Sequence, residues 1–485
     1  MASLPSITGN KCDSMTDQAG DDVARTVLAQ FNRLPKKGKP TIKGNGHREW
    51  TVLAGITLSN SANPNQQLEC VALGTGLKCL PKIHMNHCGT AVNDSHAEVV
   101  CRRNLQRYLM LQVINCIQGK ASALEPSTDA QMKEDHMPFR LRQGLEFHMY
   151  ASQSPCGDAS MHALDIATSH NLMPHDDDRS RLQGHCDRKP NAGSINNQDT
   201  LHQTTKRDLT DIYSPDSLPE MGTTQKYKRK HDDAAAMVSQ PKSTGKGSCK
   251  TNAYVSTEVV LRGRTDFSSF GRLRTKPGRP DAPPTLCMSC SDKIAKWNAI
   301  GLSGALVSLL IPPIHISSLV VGDLFDKAAL QSSLVDRVKC SRLIRFKQTT
   351  EQFEWAQSSG SISADAALSW CAGEPPEAIV QGRKQGAGKK GGVWLPNSYA
   401  RICKAETGKL FMTVLHHCPE EIRTQILERA ECNGPDGVIY RKLKSSAIAY
   451  QQTKSDLYCS GGALEGWIVN EPTLEDFVVA SDIPI

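Results

Sequence analysis

The sequence predicts a layered α/β (α+β) fold, because strand-type and helix-type patterns alternate along most of the chain. Residues 50–58 and 68–73 have the composition of strands with a polar turn between them. Residues 95 to about 118 carry apolar side chains at helical spacing, and 145–150 predict another strand. Together these patterns predict a sheet with helices against it.

The second half of the chain continues the alternation. Order is predicted to return near residues 257–261, and helix-compatible sequence runs from 287 to 311. A buried strand is expected at 316–321 and a helix at 327–338, with further helices near 398–416 and 445–458.

Composition divides the chain into a polar N-terminal tail, residues 1–44, and one domain, residues 45–485. Residues 169–257 contain few large apolar side chains, so we interpret them as a disordered insertion within that domain. Its basic run at 226–230 has the composition of a nuclear signal or an RNA-touching patch, although a solvated charge run is the favoured interpretation.

Charge and cysteine content narrow the class of protein. The 485 residues carry a formal charge of +7, which suits an acidic partner such as RNA without requiring one. No apolar run has the length of a signal peptide or a membrane span, so we expect a soluble intracellular protein of the cytoplasm, the nucleus or both, with no membrane partner. The 17 cysteines without a secretory signal indicate reduced thiols, some of which bind metal.

One short stretch has the residue types of a hydrolytic metal site. His96 is a potential zinc ligand at a predicted helix start, and Glu98 is placed to move protons at an activated water. Cys156 follows a predicted strand and begins a predicted helix, which favours a thiolate ligand. Spacing alone leaves the third ligand open, because Cys287 and Cys290 form a C-x-x-C that also fits half of a structural zinc site.

Three ordered motifs resemble the adenosine-to-inosine editing deaminase family. They are Asn-Asp-x-His-Ala-Glu from residue 93, Ser-Pro-Cys-Gly-Asp-Ala from 154, and Ser-Cys-Ser-Asp-Lys-Ile-Ala-x-Trp-Asn from 289. The resemblance covers residue 45 to the C-terminus apart from the insertion. It implies a cytidine-deaminase-like core sheet with flanking helices.

The resemblance also implies the roles of the site residues. By matching position, His96, Cys156 and Cys290 hold zinc, and Glu98 is the catalytic proton shuttle. The implied reaction is hydrolytic attack at C6 of a flipped-out adenine, with protons delivered to N1 and to the departing ammonia. Lys78 matches a position that holds an RNA phosphate.

The family further implies a second cofactor, inositol hexakisphosphate, enclosed by the C-terminal helical region. Asp94 and Lys276, together with Lys293, match a polar relay from this polyanion to the zinc site. Lys296, Cys287 and Ala305 depart from the residues usual at their positions. The matching positions for the polyanion are Asn93, Val99, Arg102, Arg103, Lys293, Lys296, Lys404, Tyr440, Lys444, Tyr450, Lys454 and Trp467.

Within the family, the segment 273–279 and the short polar N-terminus resemble the tRNA-acting members. This resemblance implies that the substrate is adenosine 37, beside the anticodon of eukaryotic tRNA-Ala, bound through the anticodon stem-loop, with no role for DNA. The alternatives are a double-stranded-RNA (mRNA) deaminase and a non-catalytic RNA-binding relative. The first forty residues leave no room for duplex-binding modules, and the intact Glu98 and ligand set argue against loss of catalysis.

Overall fold

The structure is a computed structural model that describes residues 12–63, 67–161, 260–263, 270–276, 283–340, 342–432 and 437–480. By internal contacts the chain divides into two units, one comprising residues 1–178 and 255–485 and the other residues 179–254. The described residues all belong to the first unit. The predicted insertion at 169–257 therefore lies outside the described residues, as does the basic run at 226–230.

The helices occur mainly after the first sheet strands and in the C-terminal third of the chain. Residues 158–161 are also helical. Short 3-10 helices lie at Lys82–His84, Asp336–Val338, Pro396–Ser398 and Pro472–Glu475. The α-helices are α1 (Cys12–Arg33), α2 (Ala97–Ile117), α3 (Asp129–Asp135), α4 (Cys290–Ile300), α5 (Gly304–Val307), α6 (Lys327–Leu334), α7 (Lys404–His417), α8 (Glu420–Arg429), α9 (Tyr440–Ser445) and α10 (Ile448–Tyr458).

The strands form one large sheet and several two-stranded pairs. They are β1 (Glu49–Trp50), β2 (Leu53–Asn60), β3 (Glu69–Thr75), β4 (Leu77–Cys79), β5 (Asp94–His96), β6 (Leu124–Pro126), β7 (Phe139–Leu141), β8 (Leu145–Gln153), β9 (Leu261–Arg262), β10 (Arg274–Thr275), β11 (Ile316–Asp323), β12 (Arg345–Gln348), β13 (Ile362–Ser363), β14 (Ala366–Cys371), β15 (Glu377–Val380), β16 (Arg383–Lys384), β17 (Lys389–Lys390) and β18 (Val393–Trp394).

The central sheet is mixed, with the strand order β12-β11-β8-β2-β3-β14-β15-β16. β8, β11 and β12 run parallel, whereas β2, β3, β14, β15 and β16 join by antiparallel pairs. Within β11, Leu319, Val320 and Val321 are all buried, so both faces of that strand are covered. The layered α/β prediction is confirmed.

Helices cover both faces of this sheet. Ala54 packs in the same apolar cluster as residues of α2, whereas its neighbour Leu53 packs with residues of α1. Successive side chains of a strand point to opposite faces, so α1 and α2 lie on opposite sides of the sheet. No helix in the described part of the chain is long and apolar enough to cross a membrane.

The prediction of a polar tail over residues 1–44 is wrong for its central part. Residues 12–33 form α1, and Val23, Val27 and Phe31 of this helix are buried. These three side chains recur every four residues, which places them on one face of the helix despite the polar residues between them. An added Cβ at Gly55 of β2 would lie 2.4 Å from Val27 Cγ1, so this strand residue must be glycine for α1 to approach the sheet.

Elements at the far edge of the sheet were not predicted from the sequence. β14 and β15 extend the sheet beyond β3, and β12 forms its other edge. The helix expected near 398–416 begins at Lys404, after the 3-10 turn Pro396–Ser398, and the helix expected near 445–458 begins at Ile448. β12, β14 and β15 have only four to six residues, so their alternation is too short to predict.

Candidate active site

Three chain segments bring the predicted catalytic residues to one place. His96 ends β5 and is the N-cap of α2, and Glu98 lies in the first turn of that helix. Cys156 follows β8 and precedes the helical residues 158–161, and Cys290 is the first residue of α4. Residues far apart in the sequence therefore meet at the starts of three helices.

The donor atoms of His96, Cys156 and Cys290 form a compact group. All three lie within 4.8 Å of one another, and His96 Nδ1 is 3.8 Å from each of the two sulfur atoms. Tetrahedral zinc with Zn–N and Zn–S bonds of roughly 2.0–2.3 Å separates its ligands by about 3.5–3.8 Å. One imidazole and two thiolates at this spacing fit a zinc ion with a fourth position open to water.

Cys287 is not part of this donor group. Its Sγ lies 3.6 Å from the Asn93 carbonyl oxygen, and a hydrogen bond from the Cys79 thiol lowers the pKa of Cys287. The C-x-x-C sequence therefore does not act as one chelating unit in the described structure. The structure brings Cys290, and not Cys287, to His96 and Cys156.

Glu98 lies beside the donor group without belonging to it. Its side chain is buried, and its Oε2 accepts a hydrogen bond from the Cys290 thiol at 3.1 Å. A carboxylate beside a hydrolytic metal site, and not among its ligands, is placed to accept and return protons.

The charge around Cys156 favours its thiolate form, whereas burial, Cys156 and Glu98 raise the pKa of Cys290 well above its ordinary value. The hydrogen bond from Cys290, assisted by the positive charges of Lys276 and His96, holds the pKa of Cys156 well below its ordinary value. Lys276 Nζ lies 2.7 Å from Cys290 Sγ and 3.7 Å from Cys156 Sγ. Burial opposes the Lys276 ammonium, but Asp94 and the two cysteines raise the pKa of Lys276 well above that of an ordinary lysine. A protonated lysine thus faces both sulfur atoms.

Asp94 connects His96 of the donor group to two lysines, Lys276 and Lys293. Its Oδ1 accepts from the His96 backbone N–H at 3.0 Å, and its Oδ2 accepts from Lys293 and lies 3.6 Å from Lys276 Nζ. Burial raises the pKa of Asp94, but Lys276 and Lys293 outweigh burial and hold it well below the ordinary value. The predicted relay residues Asp94, Lys276 and Lys293 therefore form one ion cluster.

A cavity of about 200 Å³ lies further along α2, between this helix, α4, α5, α7, α9 and α10. Six cationic side chains line its wall, and Glu475 is the one carboxylate among the described lining residues. Burial and the neighbouring cations, Arg102 first among them, hold the pKa of Lys296 well below its ordinary value. Glu475 accepts from Lys404 at 2.9 Å and from Lys444, which leaves the cavity with a large excess of positive charge.

Most residues predicted for the polyanion line this cavity. They are Arg102, Arg103, Lys296, Lys404, Tyr440, Lys444, Tyr450 and Lys454. Four do not line it: Lys293 binds Asp94, Val99 is buried in the apolar core, the Asn93 carbonyl accepts from Leu80, and Trp467 stacks on Tyr458. Trp467 is nevertheless adjacent, because Lys296 Nζ lies 4.3 Å from its ring centre.

Sequence reasoning missed several polar residues of the cavity and the site. Gln106, Thr407 and Glu475 line the cavity, whereas Asp158, Asp292, Arg274 and Arg337 form buried ion pairs behind the cysteines. The sequence contains one signal for the two aspartates, because the spacing Cys-x-Asp occurs at both 156–158 and 290–292. Ala305 gives the cavity wall a methyl group, and Cys287 does not line it.

Lys78 lies apart from both the donor group and the cavity. It is in β4, paired with Ser95 of β5, and its side chain is about half exposed. Its Nζ donates to Ser363 Oγ at 2.9 Å and lies 3.6 Å from Asp365. A phosphate at this position would compete with these two contacts.

A sheet flanked by helices, with one histidine, two cysteines and a glutamate at helix starts, is the arrangement that nucleobase deaminases use. Residues 72–471 match the adenosine-deaminase (editase) domain. The chain belongs to this family, and it is an adenosine deaminase that forms inosine.

Individual relatives align with almost the whole chain. Proteins named tRNA-specific adenosine deaminase 1 from Mus musculus and Homo sapiens are 27% and 28% identical to it, over 94% of this chain and 99% of each relative. A Drosophila melanogaster protein named double-stranded RNA-specific editase Adar is 28% identical over 66% of this chain and 36% of its own length.

Proposed function

We propose that this chain is a zinc-dependent tRNA adenosine deaminase, and that its substrate is adenosine 37 of tRNA-Ala. The observation that carries the chemistry is the group of His96, Cys156 and Cys290 with the Glu98 carboxylate against it. The choice of tRNA is supported by the relatives that align end to end, which are named as tRNA-specific deaminases.

The residues of this chain divide the work of the reaction. Zinc, when bound by His96, Cys156 and Cys290, activates a water for hydrolysis at C6 of adenine. Glu98 would take one proton from that water and pass it to N1, and would then move the remaining hydroxyl proton to the leaving amine. Lys276 holds positive charge against both sulfur atoms, which favours the deprotonated form that would ligate zinc.

Burial of the site means that the target adenine must leave its stack to react. Glu98 and His96 are both less than a tenth exposed, so a base that stays stacked in a stem cannot reach them. An adenosine in a loop such as the anticodon loop leaves its stack at little cost. Lys78, on the exposed side of β4 next to His96, is the proposed contact for an RNA phosphate.

We also propose that the cationic cavity holds inositol hexakisphosphate. Six cationic side chains around one cavity, with a single carboxylate among its described lining residues, repel one another unless an anion neutralises them. A compact polyphosphate meets lysine, arginine and tyrosine donors together, which suits this lining. The ion cluster of Asp94, Lys276 and Lys293 lies beside the zinc ligands, and Lys293 is one helical turn from Lys296 of the cavity wall.

The test is incubation of the purified protein with total tRNA, followed by sequencing for adenosines read as guanosines. We expect a signal at adenosine 37 of tRNA-Ala and none with the Glu98→Gln variant. A duplex RNA incubated in parallel distinguishes the alternative class of substrate. Inosine in the duplex alone would overturn the tRNA proposal, and inosine in neither RNA would overturn both.

A further inference from the structure

The two segments that carry Cys156 and Cys290 are joined by direct backbone contacts. The Cys290 N–H donates to Cys156 Sγ at 3.3 Å, and the Ser291 N–H donates to the Cys156 carbonyl at 2.9 Å. The Ser291 hydroxyl bonds the Pro155 carbonyl at 3.1 Å and accepts from the Ala159 N–H at the same distance. The position of each sulfur atom is therefore set by how these two segments dock.

Close docking requires a glycine between them. Gly157 has a φ of +106°, and an added Cβ there would lie 2.4 Å from Ser289 Oγ. No larger residue fits this position without moving the two segments apart. The distance between the two cysteine segments is therefore sensitive to small changes in the residues packed between them.

Each segment also carries a buried aspartate two residues after its cysteine. Asp158 and Asp292 are 5% and 1% exposed, so two like charges face each other in the interior. Unpaired, they would push the segments apart, because burial strengthens their repulsion.

Two arginines from elsewhere in the chain bridge these aspartates. Arg274 Nε lies 3.2 Å from Asp158 Oδ1, and the Arg274 backbone N–H donates to Asp292 Oδ2 at 3.0 Å. Arg337, in the 3-10 helix after α6, lies 2.8 Å from Asp292 and 3.7 Å from Asp158. Each arginine thus contacts both cysteine segments; Arg337 does so through ion pairs, because two nitrogens of its extended guanidinium lie near two different carboxylates.

We infer that Arg337 is a positioning residue for the metal site, because it holds Asp158 and Asp292 together and so fixes the spacing of Cys156 and Cys290. This role rests on the proposed zinc site. Arg337 touches neither the donor atoms nor Glu98, so its effect on the metal passes through the two aspartates. Residues that orient metal ligands in this way typically change metal affinity by roughly 10- to 100-fold when removed.

The test is zinc release from the purified full-length protein into excess chelator, measured for the wild type, Arg337→Met and Arg337→Lys. We expect Arg337→Met to release zinc about 10-fold faster or more. The zinc-release rate of Arg337→Lys should lie between those of the wild type and Arg337→Met. A lysine keeps the positive charge, but its single ammonium cannot reach both carboxylates as the guanidinium does.

Arg107→Met is the matched control. Arg107 is buried, and its Nη2 lies 2.6 Å from Glu374 Oε1, but this ion pair is not in contact with the cysteine segments. Both methionine variants should lower the thermal midpoint, and Arg107→Met should leave zinc release unchanged.

Equal zinc release from the wild type and Arg337→Met would overturn the positioning role, as would equal acceleration by Arg107→Met. If Arg337→Met does not fold, Arg337→Lys carries the same comparison. A wild-type protein purified without stoichiometric zinc would instead overturn the proposed metal site, so the two failures are distinguishable.

Discussion

His96 and Glu98 are two residues apart, yet the backbone gives them different positions in the site. His96 is the N-cap of α2, with extended backbone angles, whereas Glu98 lies within the first helical turn. The imidazole therefore faces the two sulfur atoms while the carboxylate reaches the edge of the same group. One strand-to-helix junction thus supplies both a ligand and a proton shuttle.

Replacing Glu98 by Gln should reduce inosine formation by at least about 10²-fold, because the amide cannot accept and return protons. Zinc content should stay at the wild-type level, since Glu98 is not in the donor group. Single-turnover deamination and metal analysis of the same preparation measure both quantities. Substantial inosine formation by a zinc-loaded variant would contradict the assigned role.

The two cysteines of the C-x-x-C should behave differently on substitution. Cys290→Ser should lose zinc, because it removes one of three ligands, whereas Cys287→Ser should retain it. Metal content after gel filtration measures the difference. Equal loss from both variants would return Cys287 to the list of ligands.

At the scale of elements, α1 packs on one face of the central sheet and is part of the folded domain. Its Phe31 packs edge-on against Phe353 at 5.2 Å between ring centres, and the Phe31 side chain is 2% exposed. Tyr150 and Val320 of the central strands belong to the same apolar cluster. The helix covers the face of the sheet opposite α2, so it stabilises the strand that leads to Cys156.

Phe31→Ala should therefore lower the free energy of unfolding by about 3–5 kcal/mol, the usual cost of truncating a buried phenylalanine. Urea unfolding followed by circular dichroism measures the change. Ala29→Ser, at an exposed position of the same helix, is the control and should change stability by less than about 0.5 kcal/mol. An unchanged midpoint for Phe31→Ala would mean that this segment does not pack on the sheet in solution.

At the scale of the whole molecule, α2 connects two polar interiors. Its first turn faces the metal site, and Arg102 and Arg103, one turn further on, face the cationic cavity. Arg102 also lies 4.9 Å from the Trp297 ring of α4, the helix that begins with Cys290. The same two helices therefore form walls of both the catalytic centre and the cavity.

The cavity proposal predicts that denaturing the purified protein releases inositol hexakisphosphate, detected by mass spectrometry. Lys444→Ala should weaken retention by roughly 10- to 150-fold, the equivalent of one charge-assisted hydrogen bond of about 1.5–3 kcal/mol. Lys442→Ala is the control, because Lys442 lies on the same helix α9 but does not line the cavity, and its Nζ donates to the Glu431 carbonyl. Its ligand content should equal that of the wild type. Absence of any inositol polyphosphate from the wild type would remove the cofactor proposal.

The sequence by itself determined the features that depend on residues close together in the chain, which are the longer helices and strands and the short catalytic motifs. Helix and strand periodicity predicted α2, β8 and β11, because these elements are long enough to show their pattern. Three motifs identified the family, and with it the candidate ligands and Glu98, since catalytic chemistry constrains residue type within a few positions. The apolar residues Val23, Val27 and Phe31 also recur at helical spacing in α1, but the polar residues between them obscured this pattern.

Tertiary structure alone decided which distant residues meet. Spacing could not choose between Cys287 and Cys290, because the choice depends on which sulfur atom faces Cys156, 134 residues earlier. Nor could it show that Arg274 and Arg337 pair with the aspartates beside the two ligand cysteines. A lysine on a helix face has the same sequence signature whether it meets water or a buried cavity. Only the packing of α2, α7, α9 and α10 around one space turned such residues inward.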